Sequence, residues 1–185
     1  MQAARGAAIA DETAAPEQGD RRRALLVLVA VALTGLTVDV VSKVLAVEHL
    51  SDRPDVPVIG DLLVLHLTRN PGAAFSTGTE FTIALSLLAI VAVLVVLYLT
   101  PRVRSVLWGT AFGFLLAGVG GNLVDRIFRA PAPLEGHVVD FLMLPNWPVF
   151  NVADICINVA AGLILLQAFR GRQLDGTKAP AEDRG

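Results

Sequence analysis

Four aspartates and one lysine lie inside or beside long apolar runs of this chain. They are Asp39 and Lys43 in VDVVSK, Asp125 in GGNLVDR, Asp140 in VVDF and Asp154 in FNVAD. An ionisable group in an apolar span is costly, and its default reading is a functional group facing a polar cavity. Spacing gives its depth: Asp39 follows Arg23 by 16 residues and Asp154 precedes Arg170 by 16, which puts each roughly 24 Å from that boundary at helical rise. Asp125 follows Arg104 by 21 residues, or about 32 Å, at the far rim of its helix. Asp140 is expected in a loop whose apolar stretch dips back toward the helices. Carboxylates distant in sequence thus share one depth zone. Two carboxyls in one site cannot both ionise cheaply, so one keeps a proton and serves as acid while the other acts as base on a water. Such a pair hydrolyses an amide without metal, cofactor or covalent intermediate. Competing chemistries are poorly supplied: His49, His66 and His137 form no HExxH, and adjacent Ser42 and Lys43 diverge by about 100° on a helix. Cys156 is the only cysteine, which rules out an internal disulfide and a multi-cysteine metal site.

The elements that must position these groups are apolar. Hydrophobic residues make up 54% of the 185 and charged ones 17%, with a mean hydropathy of +0.62, values of the membrane class. Four runs stand out, Ala24 to Val38, Phe81 to Thr100, Ser105 to Val124 and Ile155 to Phe169. The second and third are long enough to cross a hydrocarbon core of about 30 Å. The first and fourth reach that length only by continuing through Asp39 and Asp154. The predicted fold is therefore an all-α membrane protein of four transmembrane helices over residues 23–172. Residues 1–22 and 173–185, polar and without apolar periodicity, are expected to be disordered cytoplasmic tails. No small-residue cleavage site follows Arg21, Arg22 and Arg23, so the first run is expected to stay as an anchor. Between the first two spans, VPVIGDLLVLHLTRN alternates β-prone stretches around Gly60 and Asp61, which predicts a small extracytoplasmic sheet or hairpin. Arg5, Arg21 to Arg23, Arg102, Arg104, Arg170, Arg172, Lys178 and Arg184 would share one side. By the positive-inside rule that side is cytoplasmic, with both termini, and residues 46–80 and 125–149 lie outside. Trp147 suits the outer aromatic belt and Trp108 the inner one. A formal charge of −2 without a basic stripe gives no reason to expect nucleic acid.

Blander readings stand beside these. Asp125 alone could be a helix-end group, Asp39 and Lys43 a structural i, i+4 pair, and Asn122, Asn151 and Asn158 interhelical hydrogen bonders. On spacing alone a noncatalytic scaffold, a channel or a proton-coupled transporter subunit stays open.

The motifs narrow the choice. VDVVSK, TRNPGAAFS, GGNLVDR, VVDF and FNVAD, in this order on four spans, closely resemble the lipoprotein signal peptidase family, also called signal peptidase II. The resemblance covers nearly everything between the tails. It implies a bacterial, multi-pass cell-membrane aspartic endopeptidase with its active site toward the extracytoplasmic face. Its substrates would be prolipoproteins carrying diacylglycerol on the lipobox cysteine, cut just before that cysteine, among membrane lipids and with no obligate protein partner or cofactor. Carried over by motif, Asp140 and Asp154 are the catalytic pair and Asp125 a supporting residue. Asp39, Lys43, Asn70, Gly72, Asn122, Arg126 and Asn151 then bind or shape around the substrate. The stretch from Arg126 to Asp140, with Pro131 and Pro133, is longer than the family usually has.

Overall fold

The computed structural model describes residues 18–72 and 79–178. Helix α1 (Gln18–Leu50) is followed by strands β1 (Val56–Ile59) and β2 (Leu63–Asn70), helix α2 (Thr79–Leu99) and a 3-10 turn at Thr100–Arg102. Then come α3 (Val106–Phe128), β3 (Val138–Met143) and α4 (Val152–Phe169). Among the described residues four helices are long and apolar enough to cross a membrane. The two short runs do continue through their aspartates, as the spacing requires. At 33 residues, or about 50 Å at helical rise, α1 outreaches a bilayer core and projects beyond it to meet the sheet.

Small residues set the helix packing. In lipid, association rests on close van der Waals contact, which glycine and alanine allow. Along α3, a Cβ on Gly109 would come within 2.5 Å of the Ala24 carbonyl oxygen, and one on Gly113 within 2.8 Å of the Leu28 carbonyl oxygen. Ala117 fits against Gly35, and at Gly121 the nearest neighbour is the Asp39 carboxylate. Residue numbers rise together on both helices, so α1 and α3 run parallel. Gly118 meets Ala153 and Ile157 of α4, and α2 packs on α3.

The predicted hairpin is present, and it has a third strand. The sheet order is β1-β2-β3, antiparallel throughout. Asp140 therefore sits on a paired strand, in register with Thr68, and not in a loop. Val139 and Phe141 turn to one face and pack with Ala46 and Leu50 at the far end of α1, which leaves Asp140 on the opposite face by strand alternation.

Three expectations are corrected at the other end. Helix α1 starts at Gln18, so residues 18–22 are helical; residues 1–17 and 179–185 lie outside the described residues. Residues 173–178 are folded: Leu174 packs on the cluster of Ala24, Leu28, Val96, Val103, Trp108 and Phe112. Its carbonyl takes the N–H groups of Arg104 and Ser105. Trp108 is no belt residue, being buried edge-on against Phe112 with its Nε1 donating to the Arg172 carbonyl. Trp147, 65% exposed, is consistent with a belt position.

Candidate active site

Asp140 and Asp154 meet because the chain doubles back between them. Leu142 and Phe150 exchange backbone hydrogen bonds across residues 143–149, which sets Asn151 beside Asp140. Asn151 is then the N-cap of α4, and Asp154 stands three residues into the capping box. The Asn151 side-chain oxygen accepts the Asp154 N–H at 3.0 Å, and an Asp154 oxygen accepts the Asn151 N–H at 3.1 Å. This reciprocal cap fixes the Asp154 carboxylate at the positive end of the α4 dipole. The Asn151 amide nitrogen donates to Asp140 at 2.6 Å, so one buried residue holds both acids.

The second amide on each acid comes from another element. Asn70, ending β2, donates to the other Asp140 oxygen at 2.9 Å, and its own oxygen is held by the Gly72 N–H at 2.8 Å. Asn122 of α3 donates to Asp154 at 3.0 Å. Its oxygen faces the Lys43 ammonium at 2.9 Å and the Asn151 amide at 3.2 Å. Only an oxygen can face a cation, so Lys43 dictates which way the Asn122 amide points.

Lys43 also sits 2.8 Å from Asp39 Oδ2, an ionic contact without hydrogen-bond angles, and 3.0 Å from Asp125. Asp39 spends its other oxygen on the Ala153 N–H at 2.8 Å, tying α1 to the first turn of α4. Asp125 pairs with Arg129 and accepts the Val139 N–H at 3.1 Å, one residue before Asp140. It is buried at 2% exposure in the last turn of α3. Asp39, Lys43 and Asn151 are 0% exposed and Arg126 7%. Asp39, Lys43 and Asn151 thus stand behind the acids and shape the site through these bonds, while Arg126 donates to the Gly136 carbonyl at 3.4 Å. Asn70, Gly72 and Asn122 keep some exposure. Asn158 turns its amide back to the Asp154 carbonyl within α4.

Burial pushes the Asp140 carboxyl up to about 6; the amides of Asn70 and Asn151 pull against it, the Asp154 charge adds to it, and Lys43 opposes it. Asp140 thus keeps its proton to higher pH than a free carboxyl, the direction a carboxylate pair needs for acid–base work.

The long stretch after Arg126 forms a strap. A Cβ on Gly136 would collide with the Asp125 carbonyl oxygen, and the Gly136 N–H bonds the Arg126 carbonyl at 3.1 Å. Leu134, at φ 71°, presents its carbonyl to buried Ser86 of α2 at 2.6 Å. Thr82 of α2 in turn holds the Pro71 carbonyl at 2.6 Å, next to Asn70. Spacing gives no hint of Ser86, Thr82 or Gly121, whereas Arg129 stands at i, i+4 from Asp125. The cap is readable, since Asn-x-x-Asp before an apolar run is a helix-start signature.

Comparison with known proteins fits this arrangement. The family model described as signal peptidase (SPase) II matches residues 31–170. A lipoprotein signal peptidase of Mycobacterium avium (strain 104) is 46% identical over 161 residues, covering 87% of this chain and 88% of that protein. One of Mycobacterium leprae (strain Br4923) is 46% identical over 153 residues, covering 83% and 76%. One of Leifsonia xyli subsp. xyli (strain CTCB07) is 44% identical over 163 residues, covering 88% and 76%. A solved bacterial membrane enzyme, determined by the in meso method at 1.9 Å resolution, superposes with a TM-score of 0.69 at 23% identity. It covers 77% of this chain and 92% of its own, which shows a shared fold.

Proposed function

The chain belongs to the signal peptidase II family, a multi-pass bacterial membrane hydrolase of lipoprotein processing, and from that premise we propose that Asp140 and Asp154 are its catalytic pair. The observation that carries this reading is Asn151, whose amide holds Asp140 while its oxygen and N–H hold Asp154. In the proposed reaction Asp154 takes a proton from a water as the water oxygen attacks the scissile carbonyl carbon. Asp140 gives its proton to the carbonyl oxygen. Collapse of the tetrahedral intermediate breaks the C–N bond, and a carboxyl proton passes to the leaving amine.

The substrate class follows from the same reading: a prolipoprotein whose lipobox cysteine carries diacylglycerol, cut just before that cysteine. Such a substrate is anchored by a signal helix and by acyl chains, and the carboxylates stand at the end of the bundle where α1 passes beyond the apolar zone. Arg21 to Arg23, Arg102, Arg104, Arg170, Arg172 and Lys178 belong to the opposite end, which supports a cytoplasmic location for that end and an extracytoplasmic site. Asp125 is assigned a supporting role, since its oxygens are committed to Lys43, Arg129 and Val139.

Incubating the purified protein with a diacylglyceryl-modified prolipoprotein should release the signal peptide and leave the lipidated cysteine as the new N-terminus. Intact substrate after prolonged incubation, or equal cutting of the unmodified precursor, would overturn the substrate assignment.

A further inference from the structure

At the end of the bundle away from the carboxylates, α4 runs into a built turn. Gly171, at φ 60°, reverses the chain after Arg170, and the Arg172 N–H bonds the Gln167 carbonyl at 3.0 Å. Residues 172–178 close into a hairpin through an Arg172–Lys178 bridge and a Gln173 to Thr177 backbone bond of 2.9 Å. The hairpin is fastened to α3 by the Leu174 carbonyl and by the Trp108 indole. Its effect is to gather Arg170, Arg172 and Lys178 around one open cavity of about 380 Å³, completed by Leu107, Gln167 and Gly176. That volume lies within the range of small-ligand sites, about 300–1,000 Å³.

The lining contains no acid, and among the described residues none of the three cations is in an ion pair. Arg172 spends one guanidinium nitrogen on the Gly176 carbonyl at 2.9 Å, which fixes its direction and leaves other donors free of that bond. Gln167, only 3% exposed, brings a polar amide to the cavity from the last turn of a membrane-spanning helix. One turn before Arg170 and on the same face of α4, Leu166 is 39% exposed, an apolar flank at the depth of acyl chains. Cations at a helix C-terminus also offset its dipole and mark the cytoplasmic side, but neither role calls for a hairpin that turns them into one cavity or for a buried amide in its wall.

We propose that this cavity binds the phosphate headgroup of an anionic membrane phospholipid, with its acyl chains along Leu166. Guanidinium and ammonium groups are the natural partners of a phosphodiester, and polybasic surfaces at the membrane boundary attract anionic lipid. The apolar flank selects a lipid over a free anion.

The test is a native mass-spectrometric titration of the full detergent-solubilised chain with phosphatidylglycerol, with phosphatidylcholine, and with phosphatidylglycerol against millimolar inorganic phosphate. The wild type should take up phosphatidylglycerol in preference to phosphatidylcholine and keep it in the presence of phosphate. R170Q/K178Q should weaken that uptake roughly five-fold per cation removed; Arg172 stays because it braces the hairpin. R21Q/R22Q removes the same charge at the same end but outside the cavity and should keep wild-type uptake. Unchanged peptidase activity in both variants would verify their folding. Equal uptake of the two lipids, equal loss in both variants, or displacement of the lipid by inorganic phosphate would overturn the proposal.

Discussion

Near Ala24, α1 and α3 meet backbone to backbone, with Gly109 pressed against the Ala24 carbonyl and a sealed apolar cluster of Leu28, Val96, Val103 and Phe112 around them. Twelve residues along α3, at Gly121, the same helix pair encloses the Asp39 carboxylate, and behind it Lys43, Asp125, Asn122 and Asn151. One interface thus does two jobs. At the apolar end close packing serves only cohesion. At the polar end it removes water from charged groups, so that each must be paired, and the pairing converges on Asp140 and Asp154. A buried network of this kind raises the stakes at every member.

The contrast between the two ends should break most sharply at the carboxylates themselves. Asp140→Asn or Asp154→Asn removes a proton-transfer group at nearly constant volume and should lower the cleavage rate about 10² to 10⁴-fold in protein that still folds. Trp108→Phe at the other end loses one hydrogen bond, worth about 0.5–1.5 kcal/mol of stability, and should leave the rate within a few-fold. A comparable rate loss in both would end the division of labour.

Next in size is Lys43→Met. It leaves Asp39 and Asp125 buried without their shared cation, which should cost about 3–5 kcal/mol, read by thermal unfolding in detergent. A change under about 1 kcal/mol, the size of an ordinary surface pair, would mean that the acids find other partners. Smaller still is a matched glycine pair. Gly121→Ala and Gly109→Ala each force a contact well inside van der Waals distance and should each cost about 1–3 kcal/mol. Only Gly121→Ala, which displaces Asp39 and through it the start of α4, should slow the folded fraction; equal rates would detach the Asp39 network from the chemistry.

The smallest effect sharpens the electrostatics. Asn70 holds the Asp140 carboxyl down against burial, which has raised it to about 6. Asn70→Ala therefore raises Asp140 further, and the proton stays on it to higher pH. The basic limb of the kcat/KM profile, where the required proton is lost, should move to higher pH. A downward shift would contradict the assignment of Asp140 as the acid.

Much of this is legible in the sequence for physical reasons. Apolar runs report spans because lipid demands them, alternation around Gly60 and Asp61 reports a hairpin, and spacing from arginines reports the depth of Asp39 and Asp154. What escapes is non-local. VVDF reads as an apolar stretch, and its partner strand ends at Asn70, 70 residues before Asp140, so the strand cannot be seen from its own residues. QLDGTK has the composition of a tail, yet Leu174 is captured by Arg104, Ser105 and the cluster around Trp108. Asp39 and Lys43 announce an ion pair by their spacing, but only the α1–α3 packing decides that the pair is fully buried. The motif places Asn151 among the residues that bind or shape around the substrate, and its local signature, a capping box with Asp154, adds a bond to the acid itself.

The most direct test is a comparison of Asp140→Asn, Asp154→Asn and the double variant in single-turnover cleavage of a diacylglyceryl-modified prolipoprotein, with folding verified for each. Groups that act as one unit are strongly non-additive, so the double variant should cleave about as slowly as the slower single. Multiplying losses, or a folded Asp154→Asn enzyme within a few-fold of the wild type, would show that the two carboxylates are not a catalytic pair.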